Sequence, residues 1–180
     1  MSLLTEIRNP IEQELAQFEK IFNESLTSPN PLLMGAISHL RKRNGKLMRP
    51  ILVLLFAKMF GEVRTEALHA AASLELLHTA SLVHDDVVDE SDERRGQLSV
   101  NAVFNNKVSV LVGDFLLATS LVQVSKSRDF EIVDVVSRLG QLLADGEILQ
   151  LSNVSNKEFS EDIYFDVIFK KTAALFAACS

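Results

Sequence analysis

From Leu68 to Val88 the chain reads as one apolar helical run whose last turns carry three acids, Asp85, Asp86 and Asp89. Turns this apolar belong inside a bundle rather than on its surface, so the acids are carried inward with them. Burying such charge without partners costs on the order of several kcal/mol per group, so the fold must bring cations to this end of the helix. Arg94-Arg95-Gly96 follows closely enough to supply some of them. Asp85 and Asp89 are four residues apart, project side by side on a helix and can share a hard, oxygen-loving cation. Forked arginine donors suit phosphate oxygens. Carboxylates, a divalent metal and arginine together make a pocket for a diphosphate.

The rest of the chain favours a helical surrounding. Its 180 residues suit one helical domain, 1–180, with a sizeable core. Only seven Gly and four Pro interrupt them, which favours long helices over turn-rich β structure. A net charge of -6 argues against nucleic acid as a partner. Cys179 is the single cysteine, which excludes an internal disulfide framework and suits a reducing cytoplasm. No stretch reads as the roughly 18–20 uncharged apolar residues that span a bilayer.

Helical periodicity places the elements. Residues 4–26 carry Ile7, Ile11, Leu15, Phe18 and Phe22 at three- and four-residue steps, and Ser28-Pro29-Asn30-Pro31 ends them. A second helix runs from Leu32 to about Arg43, with Asn44-Gly45 as its stop. Pro50 opens a third that ends at Gly61. The long helix is expected at 65–90 with Thr65 as N-cap, which leaves the aspartates at its unfavourable, negative end. Residues 91–105 read as a loop over the site, followed by helices at about 106–125, 129–152 and 160–178, with no strand-like alternation.

On the long helix His78, Leu82, Asp85 and Asp89 fall within a stripe about 60° wide, with Ser81 at its margin. A lone Asp-Asp-x-x-Asp also fits a solvated helix end, and a lone His78 fits a core histidine. Gly45-Lys46-Leu47-Met48-Arg49-Pro50 places Lys46 and Arg49 at a helix start, where free N–H groups and the dipole favour an anion. A basic connector in solvent reads the same segment equally well. Taken with Arg95 and His78, however, it reads as a second anion site without acids. Two sites of opposite design suggest two diphosphates, one held through metal and one by basic side chains.

Taken together, GKLMRP at 45–50, ELLHTASLVHDDVVD at 75–89, RRG at 94–96, GD at 113–114, GEILQ at 146–150 and KT at 171–172 resemble the trans-isoprenyl diphosphate synthases, or polyprenyl synthetases. Members of that family often carry Arg where Leu47 stands. The resemblance implies an all-α bundle of the isoprenoid synthase type around a deep cavity. It also implies Mg²⁺-dependent, head-to-tail condensation of an allylic diphosphate with isopentenyl diphosphate. Carried over residue by residue, Asp85 and Asp89 ligate Mg²⁺, with Asp86 farther from the ion. Arg94 contacts the allylic diphosphate. Lys46, Arg49, His78 and Arg95 hold isopentenyl diphosphate. Lys171 and Thr172 lie near the bond that breaks, with Glu147 and Gln150 on the same side. Small Ala80 and Ser81, where short-chain relatives carry bulky aromatics, imply a medium- or long-chain product, octaprenyl diphosphate among them. The family is usually homodimeric, and the helix at 106–125 is the candidate interface.

The sequence departs from the family in one respect. It reaches Ser180 without a second aspartate-rich motif, and Asp162 and Asp166 do not stand in for it. The chain therefore reads as the N-terminal portion of a synthase, incomplete in its C-terminal helices, inactive alone and with apolar faces left uncovered. A non-catalytic partner subunit of a prenyl synthase is the alternative. A terpene-cyclase relative would have no use for the Lys46, Arg49, His78 and Arg95 set. A di-iron bundle would need more Glu-x-x-His motifs than the single Glu75–His78.

Overall fold

The computed structural model describes residues 3–42, 45–156 and 160–180. Arg43, the expected end of the second helix, and Asn44 of its expected Asn44-Gly45 stop lie outside them. Helices dominate. The first expected helix is two, α1 (Leu3–Arg8) and α2 (Glu12–Ser25), because Pro10 cannot donate an N–H and the chain tightens to a 3₁₀ turn at Asn9–Ile11. Asn30 caps α3 (Pro31–Arg41), its Oδ1 accepting the N–H groups of Leu32 and Leu33. α4 spans Met48–Met59 and follows Leu47, which is held in the left-handed region at φ 51°.

The long helix, α5, spans Thr65–Val88. Thr65 is its first helical residue, not its cap. That position falls to Arg64, whose backbone is extended and whose side chain makes no capping bond. α5 packs chiefly on α7 (Asn106–Lys126), and also on α4, α2 and α8 (Phe130–Asn156). Buried residues occur on nearly every side of it, as the apolar run demands. Leu74 and Leu77 enter one apolar cluster with Phe18, Leu54, Leu139 and Leu175. Leu76, Ala80 and Val83 enter a second with Ile37, Val112 and Leu116. Ser73 and Ser120 bond reciprocally across the α5–α7 seam, each hydroxyl donating to the other's carbonyl at 3.0 and 2.9 Å. Beside Asp85 the two helices meet closely: a Cβ on Gly113 would lie 2.2 Å from the His84 ring.

The segment expected as a loop is ordered. Antiparallel strands β1 (Glu93–Arg94) and β2 (Gln97–Leu98) form a hairpin, followed by α6 (Val100–Phe104). Strands of two residues are too short to leave an alternating pattern. The C-terminal helix is interrupted: α9 (Glu161–Ile168) opens into a π turn (Phe169–Ala173) before α10 (Ala174–Ala177).

Large apolar side chains remain exposed at several places, two of them extended. Leu111, Leu121 and Val122 line the outer side of α7, and Ile148, Val154, Phe165 and Phe169 do so on α8, α9 and the π turn. α7 is long and apolar enough to cross a membrane by length and composition, which the sequence reading did not anticipate. It nevertheless carries Asp114 and packs its other side on α5.

Candidate active site

Basic residues from four segments line one cavity of about 860 Å³, Arg41 of α3 among them. Lys46 and Arg49 enter from the start of α4, His78 from α5, and Arg94 and Arg95 from the hairpin. The hairpin turns on Arg95 and Gly96, both at positive φ (55° and 77°), the pattern of a two-residue type I′ turn. Arginine is an unfavourable choice at such a position, and strain of this kind collects where function requires it. The hairpin is tied down on both sides. His39 of α3 shares a 2.7 Å hydrogen bond with the Leu98 carbonyl, and Asn101 donates to the Asp86 and Ser91 carbonyls.

Asp86 is fully buried and accepts from Arg94 Nε at 2.6 Å. The cation demanded by an acid inside the bundle is therefore Arg94, eight residues on. Arg49 lies with its guanidinium 5.6 Å from the centre of the Phe176 ring. Burial, together with Arg49, Arg95 and Arg94, pushes the His78 imidazole down to about 3, so it stands neutral in this cationic wall.

The sequence reading missed Glu75 as part of this site. It lines the same cavity, and its Oε2 is buried without a hydrogen-bond partner among the described residues. Burial pushes its carboxyl up, against the pull of Arg49 and Arg95. Its place one helical turn before His78 was the available signal.

Asp85 lies about two turns beyond His78 on α5, near Glu147 and Lys171. Burial and then Glu147 raise its carboxyl to about 6, with Asp89 adding to the effect and Lys171 and Arg94 opposing it. Glu147 and Gln150 on α8 meet Lys171 of the π turn: Lys171 pairs with Glu147 and donates to Gln150 Oε1 at 3.1 Å. Gly146 permits this approach, since a Cβ there would lie 2.7 Å from that of Lys170. Thr172 is exposed on the same turn. The structure thus brings Asp85, Glu147, Gln150 and Lys171 together and sets Asp86 apart, against Arg94.

Residues 30–180 match the polyprenyl synthetase family. The chain belongs to that family. It is 41% identical over 172 residues to the all-trans-nonaprenyl-diphosphate synthase (geranyl-diphosphate specific) of Rhodobacter capsulatus, covering 95% of this chain and 53% of that one. The crystal structure of a geranylgeranyl pyrophosphate synthase from Bacteroides thetaiotaomicron is 58% identical, with a TM-score of 0.79 over 97% of this chain and 52% of that one. A polyprenyl synthase from Caulobacter crescentus, solved with calcium and isoprenyl diphosphate, is 31% identical at a TM-score of 0.93, over 98% and 54%. The chain spans about half the length of the curated relatives it matches.

Within this polyprenyl synthetase fold the acids suit a hard divalent cation. Asp85 and Asp89 offer oxygens from one helix face, and a cation there would offset the burial and the Glu147 charge that raise the Asp85 carboxyl. Among the described residues no three His, Cys, Asp or Glu side chains close on one point, so phosphate oxygens and water would complete the coordination. Of the two small residues one turn before Asp85, Ala80 is buried in the cluster that α5 forms with α3, α6 and α7. Ser81 is half-buried, its hydroxyl donating to the His78 carbonyl at 2.9 Å.

Proposed function

We propose that residues 1–180 form, as one helical domain, the two-diphosphate portion of a trans-prenyltransferase active site. The reaction is condensation of an allylic diphosphate with isopentenyl diphosphate into a medium- or long-chain polyprenyl diphosphate. The observation that carries this reading is a cationic cavity and an acidic cluster that follow one another along α5, with Arg94 acting on both. The isoprenyl diphosphate and calcium of the C. crescentus relative support the ligand chemistry.

In this reading Lys46, Arg49 and Arg95 hold the diphosphate of isopentenyl diphosphate, and neutral His78 contributes a hydrogen bond rather than a charge. Mg²⁺ at Asp85 and Asp89, with Asp86 behind them, would neutralise charge as the allylic diphosphate departs. Arg94, oriented by Asp86, faces that leaving group. Lys171 is held by Glu147 and Gln150 and stabilises the same developing charge, with Thr172 beside it. The isopentenyl double bond attacks the allylic carbon, and the departing diphosphate takes the proton then lost. No thiol takes part: burial pushes Cys179 up to about 11.

We place the protein in the cytoplasm as a homodimer formed through the outer side of α7, a state that light scattering would test. Alone, residues 1–180 are expected to bind inorganic diphosphate but not to elongate farnesyl diphosphate with labelled isopentenyl diphosphate and Mg²⁺. Robust elongation would refute the assignment as a partial site. If adding the chain to a complete synthase changed that enzyme's product length, the partner-subunit alternative would gain. Product length has its own test. Ser81→Phe in a complete enzyme is expected to shorten the product, as an obstruction one turn below the acids must. An unchanged distribution would free Ser81 of that role and favour the shorter product named for the B. thetaiotaomicron relative.

A further inference from the structure

Arg8, at the end of α1, lies before the residues that match the family and far in sequence from the site. Its Nη2 nevertheless donates to the Lys46 carbonyl at 2.7 Å, and its Nε is buried with no partner among the described residues. The segment it grips does not hold its own shape. Leu47 sits in the left-handed region, at a cost of roughly 1–2 kcal/mol for a residue with a Cβ, and caps α4 with no side-chain bond. An external contact is what the loop needs. In a trans peptide the carbonyl and the following N–H point in opposite directions, so fixing the Lys46 carbonyl toward α1 also turns the Leu47 N–H away from it.

Resting on the cationic-cavity reading above, we infer that Arg8 is a positioning residue for the Lys46–Arg49 anion loop: its hydrogen bond to the Lys46 carbonyl sets the conformation in which Lys46 meets a diphosphate. Arg8 does not line the cavity and touches no ligand in this account. Its contribution therefore passes through Lys46.

The test is calorimetric titration of the 1–180 chain with inorganic diphosphate. Arg8→Ala is expected to weaken binding about fivefold, the scale of one ordinary net hydrogen bond, because Arg8 acts on the ligand only through Lys46. Lys46→Ala is expected to weaken it more, and the double variant no further than Lys46→Ala alone, because coupled residues do not add. Arg8→Gln, which keeps an N–H donor but not the charge, should recover part of the loss and guards against a variant that fails to fold. Additive losses in the double variant, or Arg8→Gln as weak as Arg8→Ala, would mean that Arg8 acts as a distant charge, and would overturn the positioning role. Unchanged binding in Arg8→Ala with a clear loss in Lys46→Ala would overturn it too, leaving the cavity reading intact. If diphosphate does not bind the unaltered chain, or binds Lys46→Ala equally well, the cavity reading fails and this inference with it.

Discussion

The cationic wall and the acidic wall share α5 but reach their geometry by different routes. Each cation arrives on a local device of its own: Lys46 beside a left-handed Leu47, Arg49 against the Phe176 ring, Arg94 on buried Asp86, Arg95 in a left-handed turn. The acids need no such devices, because Asp85 and Asp89 follow from helix spacing alone. What the acidic wall borrows is its surroundings, Glu147 from α8 and Lys171 from a π turn that Gly146 allows to come close. The cations are therefore arranged before any ligand arrives. Asp85 stays raised, by burial and by Glu147, against the pull of Lys171 and Arg94.

That contrast is broken most severely at Asp85. In a complete enzyme Asp85→Asn is expected to lower turnover by about 10³-fold, the scale of removing a principal electrostatic contact in the transition state. The same change should not lower the melting temperature of the metal-free chain, because it removes a charge that its neighbours oppose. A loss below tenfold, or a marked fall in melting temperature, would make Asp85 a structural acid. On the cationic side Arg95→Asn is the sharper variant, since Asn tolerates the left-handed turn that Arg95 occupies. It should raise KM for isopentenyl diphosphate by about 10–100-fold, the range for losing a charge-assisted hydrogen bond, and leave KM for the allylic substrate little changed. Equal changes in both constants would merge the two walls into one site.

Gly146→Ala probes the borrowed geometry. The new Cβ would meet that of Lys170, so α8 and the π turn must part, at roughly 1–3 kcal/mol in a denaturant titration. Lys171 would move from Glu147 and Gln150 as they separate, so a complete enzyme should also lose turnover. An unaltered denaturation midpoint would show that the π turn yields freely and holds nothing in place.

These walls were not equally legible in the sequence. The acidic run declared itself through spacing and through apolar neighbours that had to be buried, as did the helical architecture. Lys46, Arg49, Arg94 and Arg95 were visible as residues, but the commitment of Arg94 to Asp86 was not. That pairing depends on a hairpin whose strands are two residues long, and two residues carry no period. The π turn was hidden for a similar reason, since Phe169–Ala173 keeps an ordinary helical composition while its hydrogen bonds shift by one residue. Glu75 was weighed only as a di-iron ligand, because an acid among cations looks like a misfit until the fold shows it buried beside them. Long regular elements reveal themselves by repetition, whereas turns and pairings are settled by whatever packs against them.

The smallest expected effect separates a crowded cationic wall from an ordinary basic surface. His78 is driven down from 6.5 to about 3, by burial first and then by Arg49, Arg95 and Arg94. A histidine lowered in the folded state takes its proton more readily when unfolded. Its neutral form therefore supports folding fully above the unfolded value of 6.5, and that support is lost as pH falls from there toward about 3. Between about pH 7.5 and about pH 5 the loss amounts to up to about 2 kcal/mol. Glu75 and Asp85, both raised, act in the opposite sense, so the measurement must be a difference. Urea titrations of the unaltered chain and of His78→Gln at both pH values supply it. The unaltered chain should lose more stability on acidification than the variant, which retains a polar side chain but takes no proton. If the two chains lose equal stability, His78 accepts its proton as easily folded as unfolded, and neither burial nor the arginines around it hold it neutral.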